Sequence, residues 1–142
     1  MPQAFLFDYG GTLDTSARHW AGVLFEGYVH VGVPVSEPHF RDAYVYAERK
    51  LAREMPVLPH DDFHALLVKK LHAEFEFLVS EQLLPVAHHA EVPHYVARIA
   101  DYLDDFARRQ TSQSAQVLET LSSRYRLILV SNFYGNLHAV VE

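Results

Sequence analysis

The segment FLFDYGGTLD, residues 5–14, decides the fold that this sequence predicts. The apolar run that begins at Ala4 ends at the carboxylate of Asp8, and a glycine pair follows one residue later. A short apolar run stopped by a glycine turn is typical of a strand buried on both faces, as in a parallel sheet. Glycine also allows positive φ and close approach of the backbone, so such a turn can present N–H groups to an anion. The same residues would equally serve an ordinary turn at the end of a strand.

A second apolar run, Leu127 to Val130, precedes Ser131 and Asn132. Ligands and catalytic groups collect at the carboxyl ends of the strands in an open parallel sheet. We therefore expect Asp8 and Ser131 to lie side by side if the two strands are neighbours. Taken alone, the Ser-Asn pair is also typical of a cap on the short helix predicted to follow.

Between the two strands the sequence predicts a series of helices. Apolar side chains recur there at spacings of three and four residues, the period of a helix that buries one face. Thr15 or Ser16 is expected to cap the first helix, and Ser112 or Ser114 a separate short helix before the second strand. The residues expected to face inward on the four main helices are Trp20, Val23, Leu24, Tyr28 and Val31, then Phe40, Tyr44, Ala47 and Leu51, then Phe63, Leu66, Leu67, Leu71, Phe75 and Leu78, and lastly Val96, Ile99, Ala100, Leu103 and Phe106.

The composition is that of an ordinary globular protein. With 142 residues, of which 49% are hydrophobic and 21% charged, the chain is long enough for one domain or for a core with a small insert. The net charge of -6, with no basic run longer than a pair, argues against nucleic-acid binding. The absence of cysteine excludes disulfides and thiol catalysis and fits a cytoplasmic protein. Neither a signal peptide nor a run of roughly 18 apolar residues is present, so no membrane association is expected.

The two strand ends together resemble the first two motifs of the haloacid dehalogenase (HAD) superfamily. In that family one strand ends in a nucleophilic aspartate before a Gly-Thr-Leu turn, and a second ends in a hydroxyl residue that binds the transferring phosphoryl group. The helices between the two motifs resemble the family's all-helical cap. The resemblance implies an α/β fold with a HAD-like (Rossmannoid) parallel-sheet core, incomplete in this chain, and a cap that makes the chain mostly helical. The core would be residues 1–14 and 111–142, and the cap residues 15–110.

The resemblance also implies an activity, the hydrolysis of a small phosphorylated metabolite with Mg²⁺. Asp8 would be the nucleophile and a metal ligand, and Gly10 would offer its backbone carbonyl to the metal. A carboxylate nucleophile divides one difficult step into two through a covalent aspartyl intermediate. Magnesium prefers oxygen ligands and keeps several waters, which suits this pair. The substrate-binding residues implied are Gly11, Thr12, Ser131 and Asn132.

One departure from the family concerns the proton donor. Family phosphatases carry a second Asp two positions after the nucleophile, and here that position is Gly10. Loss of a general acid–base typically lowers a rate by about a hundred- to ten-thousand-fold, so phosphomonoester turnover is expected to be slow. Dehalogenase-like and phosphonatase-like branches also lack this Asp, and the sequence does not choose between them. Asp14 lies past the turn and is not assigned the missing role.

A second departure is that the sequence ends at Glu142, before the family's third and fourth motifs. Those motifs supply a lysine and the acidic residues that complete the magnesium site. Lys50, Lys69 and Lys70 are the only lysines, and their place in the expected cap makes them poor substitutes. The 142-residue chain alone is therefore expected to be inactive. Two parallel strands need neighbours, so the core half should be exposed, poorly ordered, or covered by a second copy in a homodimer or domain-swapped assembly.

Two other functions stay open. A non-catalytic (pseudoenzyme) binding protein on the same fold is favoured by Gly10. A helical metal-binding module could use His60 and His64, which are four residues apart and would share a helix face. The acidic pair between these histidines is also explained by a helix start, where carboxylates stabilise the helix dipole. Arg18 could meet a substrate anion, although a solvated position on the first turn of the cap is the simpler interpretation.

Overall fold

A computed structural model describes residues 4–142 as a mixed α/β fold that is mostly helical. This confirms the predicted mixture of helices with a parallel sheet. The strands are Ala4–Phe7 (β1) and Arg126–Leu129 (β2). The helices are Trp20–Val31 (α1), Glu37–Glu54 (α2), Phe63–Ser80 (α3), Val92–Ser122 (α4) and Leu137–Val141 (α5), with a wound turn over Tyr9–Leu13 and a 3-10 helix over Val86–Glu91.

The two strands pair in parallel, as expected for neighbours. Ala4 lies opposite Arg126 and Phe7 opposite Leu129, and the Val130 N–H extends the pairing by donating to the Phe7 carbonyl at 2.8 Å. Burial on both faces is not found, because Leu6 is 67% and Leu129 41% exposed. Within residues 4–142 each strand pairs only with the other. Of the arrangements expected for the core half, the single chain shows the exposed one.

Helices α1 to α4 form the dense part of the molecule. Their inward faces share one apolar core, and Gly27 allows α1 to approach α4 closely, since a Cβ there would lie 3.0 Å from Ile99 Cγ2. Burying a large apolar side chain stabilises a fold by roughly 1.5–3 kcal/mol, so most of the stability resides here. In the described part of the chain, no helix is both long and apolar enough to cross a membrane. The largest fully buried apolar side chains are Tyr28, Phe40, Phe75, Leu24, Leu71, Leu78, Leu84, Ile99 and Leu103.

The predicted cap of α1 at Thr15 or Ser16 is wrong. His19 caps the helix instead, with its Nδ1 accepting from the Ala21 N–H at 3.1 Å. Ser16 has a φ of +55°, so the chain is still turning there. The Thr15 hydroxyl donates to the Arg18 carbonyl at 2.6 Å and closes that turn. The connection between β1 and α1 is therefore longer than the sequence pattern indicated.

The separate short helix expected before β2 is also not found. Helix α4 runs unbroken for 31 residues, because neither Gly nor Pro interrupts it after its first turn. Of the two predicted caps, Ser112 lies inside α4, and Ser114, also inside it, donates to the Leu13 carbonyl at 2.7 Å. The division into core and cap stays a prediction, and its boundary after residue 110 lies inside α4.

Candidate functional site

The carboxyl ends of β1 and β2 bring Asp8 and Ser131 together, as expected. The Ser131 hydroxyl donates to Asp8 Oδ1 at 2.7 Å, and the Tyr9 N–H donates to the same oxygen at 2.8 Å. The register that sets Phe7 opposite Leu129 puts the residues that follow each strand at the same edge of the sheet. The two side chains lie 123 positions apart in the sequence, so only the strand pairing makes this contact.

The Asp8 carboxylate is oriented and yet open. Its Oδ1 holds two donors, whereas its Oδ2 accepts no hydrogen bond from the described residues, and the side chain is exposed. An exposed carboxylate held on one oxygen can attack a substrate or bind a cation with the other. Within residues 4–142 no three His, Cys, Asp or Glu side chains gather to hold a metal ion. A magnesium ion at Asp8 would therefore need the Gly10 carbonyl, water and substrate for its remaining ligands.

Asp14 stabilises the conformation of the turn that contains Gly10 and Gly11. It is fully buried, and its Oδ1 accepts from the Gly11 N–H at 2.7 Å while its Oδ2 accepts from Trp20 Nε1 at 2.8 Å. Burial raises the pKa of the Asp14 carboxyl, and these two hydrogen bonds act in the opposite direction. Gly11 has a φ of +78°, which glycine adopts without strain. Because its N–H donates to Asp14 inside the loop, Gly11 has no backbone donor left for a ligand. Thr12, by contrast, is exposed.

Gly10 lies against an aromatic ring that the sequence did not indicate. A Cβ at this position would be 3.6 Å from Phe133 Cε2, and the same ring packs edge-on against Tyr9 with centroids 5.8 Å apart. The position where family phosphatases have their second Asp is thus beside Phe133. Gly10 has a φ of -64°, so the backbone there would accept any residue.

A cleft of about 820 Å³ lies between the strand ends and helices α1 to α3. Gly10, Gly11 and Asn132 line one side of it, next in sequence to the Asp8–Ser131 pair. This volume is within the range of roughly 300–1,000 Å³ that is usual for small-molecule sites. Most of the remaining wall is apolar, and its main members are Trp20, Leu24, Leu51, Phe63, Leu66 and Leu67.

Lys70 also lines this cleft, although its place in the expected cap had argued against a role. It is only 5% exposed and is bonded to Glu48, and its Nζ lies 4.2 Å from the centroid of the Tyr44 ring. Burial by itself would lower the pKa of Lys70, but the nearby Tyr134 and Glu48 raise it, so the amine stays charged. The signal was present in the sequence, because position 70 falls at helical spacing from Leu66 and thus on the buried face of α3.

The Lys70–Glu48 pair reaches the segment that follows β2. The Tyr134 hydroxyl donates to Glu48 Oε1 at 2.8 Å and lies 3.4 Å from Lys70 Nζ. Asn136 adds a second link, since its Nδ2 donates to the Asp61 carbonyl at 2.9 Å in a buried position. These contacts hold the loop that carries Ser131 against α2 and α3. They were not predicted, because contacts between distant segments leave no local sequence signal.

The acidic residues between His60 and His64 lie just before the start of α3. Asp62 caps the helix by accepting from the Ala65 N–H at 2.8 Å. Asp61 Oδ2 accepts from the Leu58 N–H at 2.6 Å. His64 Nε2 lies 2.9 Å from Asp101 Oδ1 at the surface. Helix-start chemistry, as expected, accounts for Asp62. Asp61 instead closes the preceding turn and pairs with Lys69, whose Nζ lies 2.5 Å from Asp61 Oδ2.

Arg18 does not contact Asp8 in the structure. Its guanidinium pairs with the Glu26 carboxylate on α1 and lies 5.9 Å from the centroid of the Phe106 ring. Both charged side chains are about half exposed, at 45% and 51%. The interpretation of Arg18 as a solvated surface residue accounts for this position.

Comparison of the chain with protein-family models, with curated proteins and with solved structures gave no match. The chemistry on which a function can be built is therefore that of the strand tips and the adjoining cleft. It consists of an exposed, oriented carboxylate, a hydroxyl in contact with it, and a largely apolar cavity beside them.

Proposed function

We propose that this chain carries the nucleophile of a HAD-like hydrolase site, which acts on a small phosphorylated metabolite through Asp8 with Mg²⁺. The supporting observation is the 2.7 Å hydrogen bond from Ser131 Oγ to Asp8 Oδ1 at adjacent parallel strand tips. The helical segment between the two strands agrees with the same proposal. Dehalogenase-like or phosphonatase-like chemistry would use the same nucleophile.

In the proposed reaction Asp8 Oδ2 attacks phosphorus and the bond to the leaving oxygen breaks, giving an aspartyl phosphate and the leaving group as an oxyanion, which takes its proton from solvent water. Water then attacks the phosphorus, which releases phosphate and restores the carboxylate. The Ser131 hydroxyl has one proton, which holds the Asp8 carboxylate before the substrate binds and can turn to a phosphoryl oxygen afterwards. The Asn132 amide donates to the same phosphoryl group. Bound at Asp8 and the Gly10 carbonyl, magnesium would neutralise part of the phosphoryl charge.

Gly10 determines which leaving groups suit the site. It has no side chain to donate a proton, and a Cβ there would be in van der Waals contact with the Phe133 ring, 3.6 Å from Cε2. Leaving groups that depart without protonation should therefore react fastest. We expect p-nitrophenyl phosphate to be hydrolysed faster than phenyl phosphate.

The direct test is magnesium-dependent hydrolysis of p-nitrophenyl phosphate by the polypeptide that the whole gene encodes. Asp8→Asn is expected to lower kcat by about a thousand-fold or more, as loss of a nucleophile does in other hydrolases. Asp42→Asn, the same change on the exposed side of α2, is the matched control and should leave the rate unchanged. Equal rates for wild type and Asp8→Asn would remove Asp8 from the mechanism.

A non-catalytic binding protein on the same fold is the second candidate, and the Phe133 ring beside Gly10 favours it. The substitution Gly10→Asp, alone and with Phe133→Ala, separates the two. A strong gain of phosphatase activity in either variant would identify a disabled phosphatase. Wild-type hydrolysis that depends on Asp8 would instead argue against the binding protein.

A further inference from the structure

The charged side chains in the cleft already satisfy one another. Glu48 accepts from both Lys70 and Tyr134, and Tyr44 places its ring on the Lys70 amine. This network leaves no free charge for a second anionic group of a substrate. Because the Lys70 amine is already paired with the Glu48 carboxylate, a charged ligand would gain little binding free energy from either side chain.

The polar groups that stay available lie towards the glycine turn. Asn132 and His19 both line this end of the cleft. Asn132 directly follows Ser131. His19 directly follows Arg18, and the Arg18 carbonyl oxygen lies 3.7 Å from where a Cβ on Gly11 would be, so His19 is also close to the turn. Apart from Lys70, which is already paired with Glu48, the lining residues on α1 and α3 are apolar. Among the described residues, the polar groups outside the Lys70–Glu48–Tyr134 network thus lie at the end where the phosphoryl group of a substrate would lie.

This distribution discriminates between kinds of substrate body. A hydroxyl group moved from water into the apolar part of the cleft loses its hydrogen bonds, at a cost of about 1–3 kcal/mol. An apolar group placed there gains about 25 cal/mol for each Å² that it removes from water. A body with several hydroxyl groups would bind poorly, and an aromatic or branched aliphatic body would bind well.

We propose that the cleft selects an organic phosphate with an apolar body, aromatic or branched, over a sugar phosphate. This inference rests on the proposed function, because it sets the phosphoryl group at Asp8 and the body against the partly exposed rings of Trp20 and Phe63. The cavity of about 820 Å³ has room for a body of one or two rings.

Trp20 provides a readout that does not depend on turnover. It is the only tryptophan of the chain and lines the cleft. The protein, with Mg²⁺, is titrated with benzylphosphonate and with 2,3,4-trihydroxybutylphosphonate, whose C–P bonds resist hydrolysis, and Trp20 emission and calorimetric heat are recorded. Benzylphosphonate is expected to bind at least about tenfold more tightly. Equal or tighter binding of the trihydroxy compound, or binding of neither, would overturn the proposal.

A variant that fills the cleft locates the binding. Ala52 is exposed on α2 and lines the cleft, so Ala52→Phe should fill it without disturbing the core. We expect about tenfold weaker binding of benzylphosphonate. Ala97→Phe, at an exposed position of α4 outside the cleft lining, is the matched control and should bind as wild type does. Unchanged binding by Ala52→Phe would put the ligand elsewhere and refute the proposal.

Failure of this inference can be told apart from failure of the proposed function. If hydrolysis of p-nitrophenyl phosphate depends on Asp8 but the trihydroxy compound binds better, only the substrate class is wrong. If benzylphosphonate binds better but Asp8→Asn hydrolyses p-nitrophenyl phosphate as fast as wild type does, the proposed function is wrong. The cleft would then bind organic phosphates with apolar bodies without using Asp8 as a nucleophile.

Discussion

The helical layer and the two-stranded sheet are held together in different ways. In α1 to α4 whole side chains such as Leu71 and Phe75 are buried, whereas Leu6 and Val130 of the strand region face solvent. Apolar burial dominates folding energy, so the helices supply most of the stability. The candidate reactive groups, Asp8 and its neighbours, lie at the ends of the two-stranded sheet. The residues that stabilise the fold and the candidate reactive residues therefore lie in separate parts of this chain.

A few hydrogen bonds connect the two parts. Ser114 of α4 donates to the Leu13 carbonyl, and Trp20 of α1 donates to Asp14. Each joins the turn after β1 to a helix. The position of the candidate site therefore depends on the helices, although its reactive groups stand outside the helical core.

The largest expected effect contrasts one leucine from each part. Leu71→Ala, at a fully buried position of α3, should lower the free energy of unfolding by about 2–5 kcal/mol. Leu6→Ala, on the exposed side of β1, should lower it by less than about 1 kcal/mol. Urea denaturation followed by circular dichroism measures both. Similar losses of unfolding free energy for the two variants would contradict the conclusion that the helices supply most of the stability.

A smaller effect concerns pH and Glu74, which is fully buried beside Lys70 with its Oε1 unpartnered in the described chain. Burial raises the pKa of Glu74 to about 7, against the opposing influence of Lys70 and the Tyr28 hydroxyl. The folded state thus binds the proton more tightly than the unfolded state. Its contribution to stability is complete below the unfolded pKa of about 4.3 and is lost as the pH rises to about 7.

Glu74→Gln should remove that dependence. Relative to this variant, the wild type should lose roughly 3 kcal/mol or less of unfolding free energy between those two pH values. Glu81→Gln makes the same change at an exposed position and serves as the control. Parallel pH profiles for wild type and Glu74→Gln would show that Glu74 titrates normally and would weaken the account of the helical core.

The next effect lies at the junction of the two parts. Asp14→Ala leaves the Gly11 N–H and Trp20 Nε1 without their acceptor, which should cost about 1–3 kcal/mol. Trp20 emission should also shift. Thr12→Ala, in the same loop but at an exposed side chain, is expected to change stability by less than about 0.5 kcal/mol. An Asp14 variant as stable as wild type would mean that the turn after β1 keeps its conformation without the Asp14 hydrogen bonds.

The smallest stability effect belongs to the site itself. Ser131→Ala removes an exposed hydrogen bond to Asp8 and should change the unfolding free energy by less than about 0.5 kcal/mol. Hydrolysis should nevertheless fall about ten- to a hundred-fold, because the carboxylate is no longer held. A marked drop in thermal stability with unchanged hydrolysis would reverse the roles given to the two parts.

The strands and the four long helices could be predicted because each has a local signal. Apolar runs preceded the Gly10 turn and Ser131, and three- and four-residue spacing marked the helices. The adjacency of Asp8 and Ser131 followed from the rule that parallel strands end at one edge.

What the sequence could not show depends on contacts between distant segments. Ser114 was expected to cap a helix but bonds to Leu13, about one hundred positions away. Phe133 covers Gly10 only because β2 pairs with β1. The charged network of Lys70, Glu48 and Tyr134 likewise needs three elements to assemble. Lys70 alone had a usable signal, its phase on the buried face of α3.

Chemical trapping at Asp8 tests the central claim most directly. The polypeptide encoded by the whole gene is mixed with p-nitrophenyl phosphate and Mg²⁺, quenched with borohydride and digested, and the peptide containing residue 8 is sequenced by mass spectrometry. Borohydride reduces an aspartyl phosphate or ester to homoserine and leaves a free carboxylate unchanged. If Asp8 is the nucleophile, homoserine should be found at position 8 only when substrate is present. An unmodified Asp8 during turnover, or homoserine at another aspartate, would contradict it.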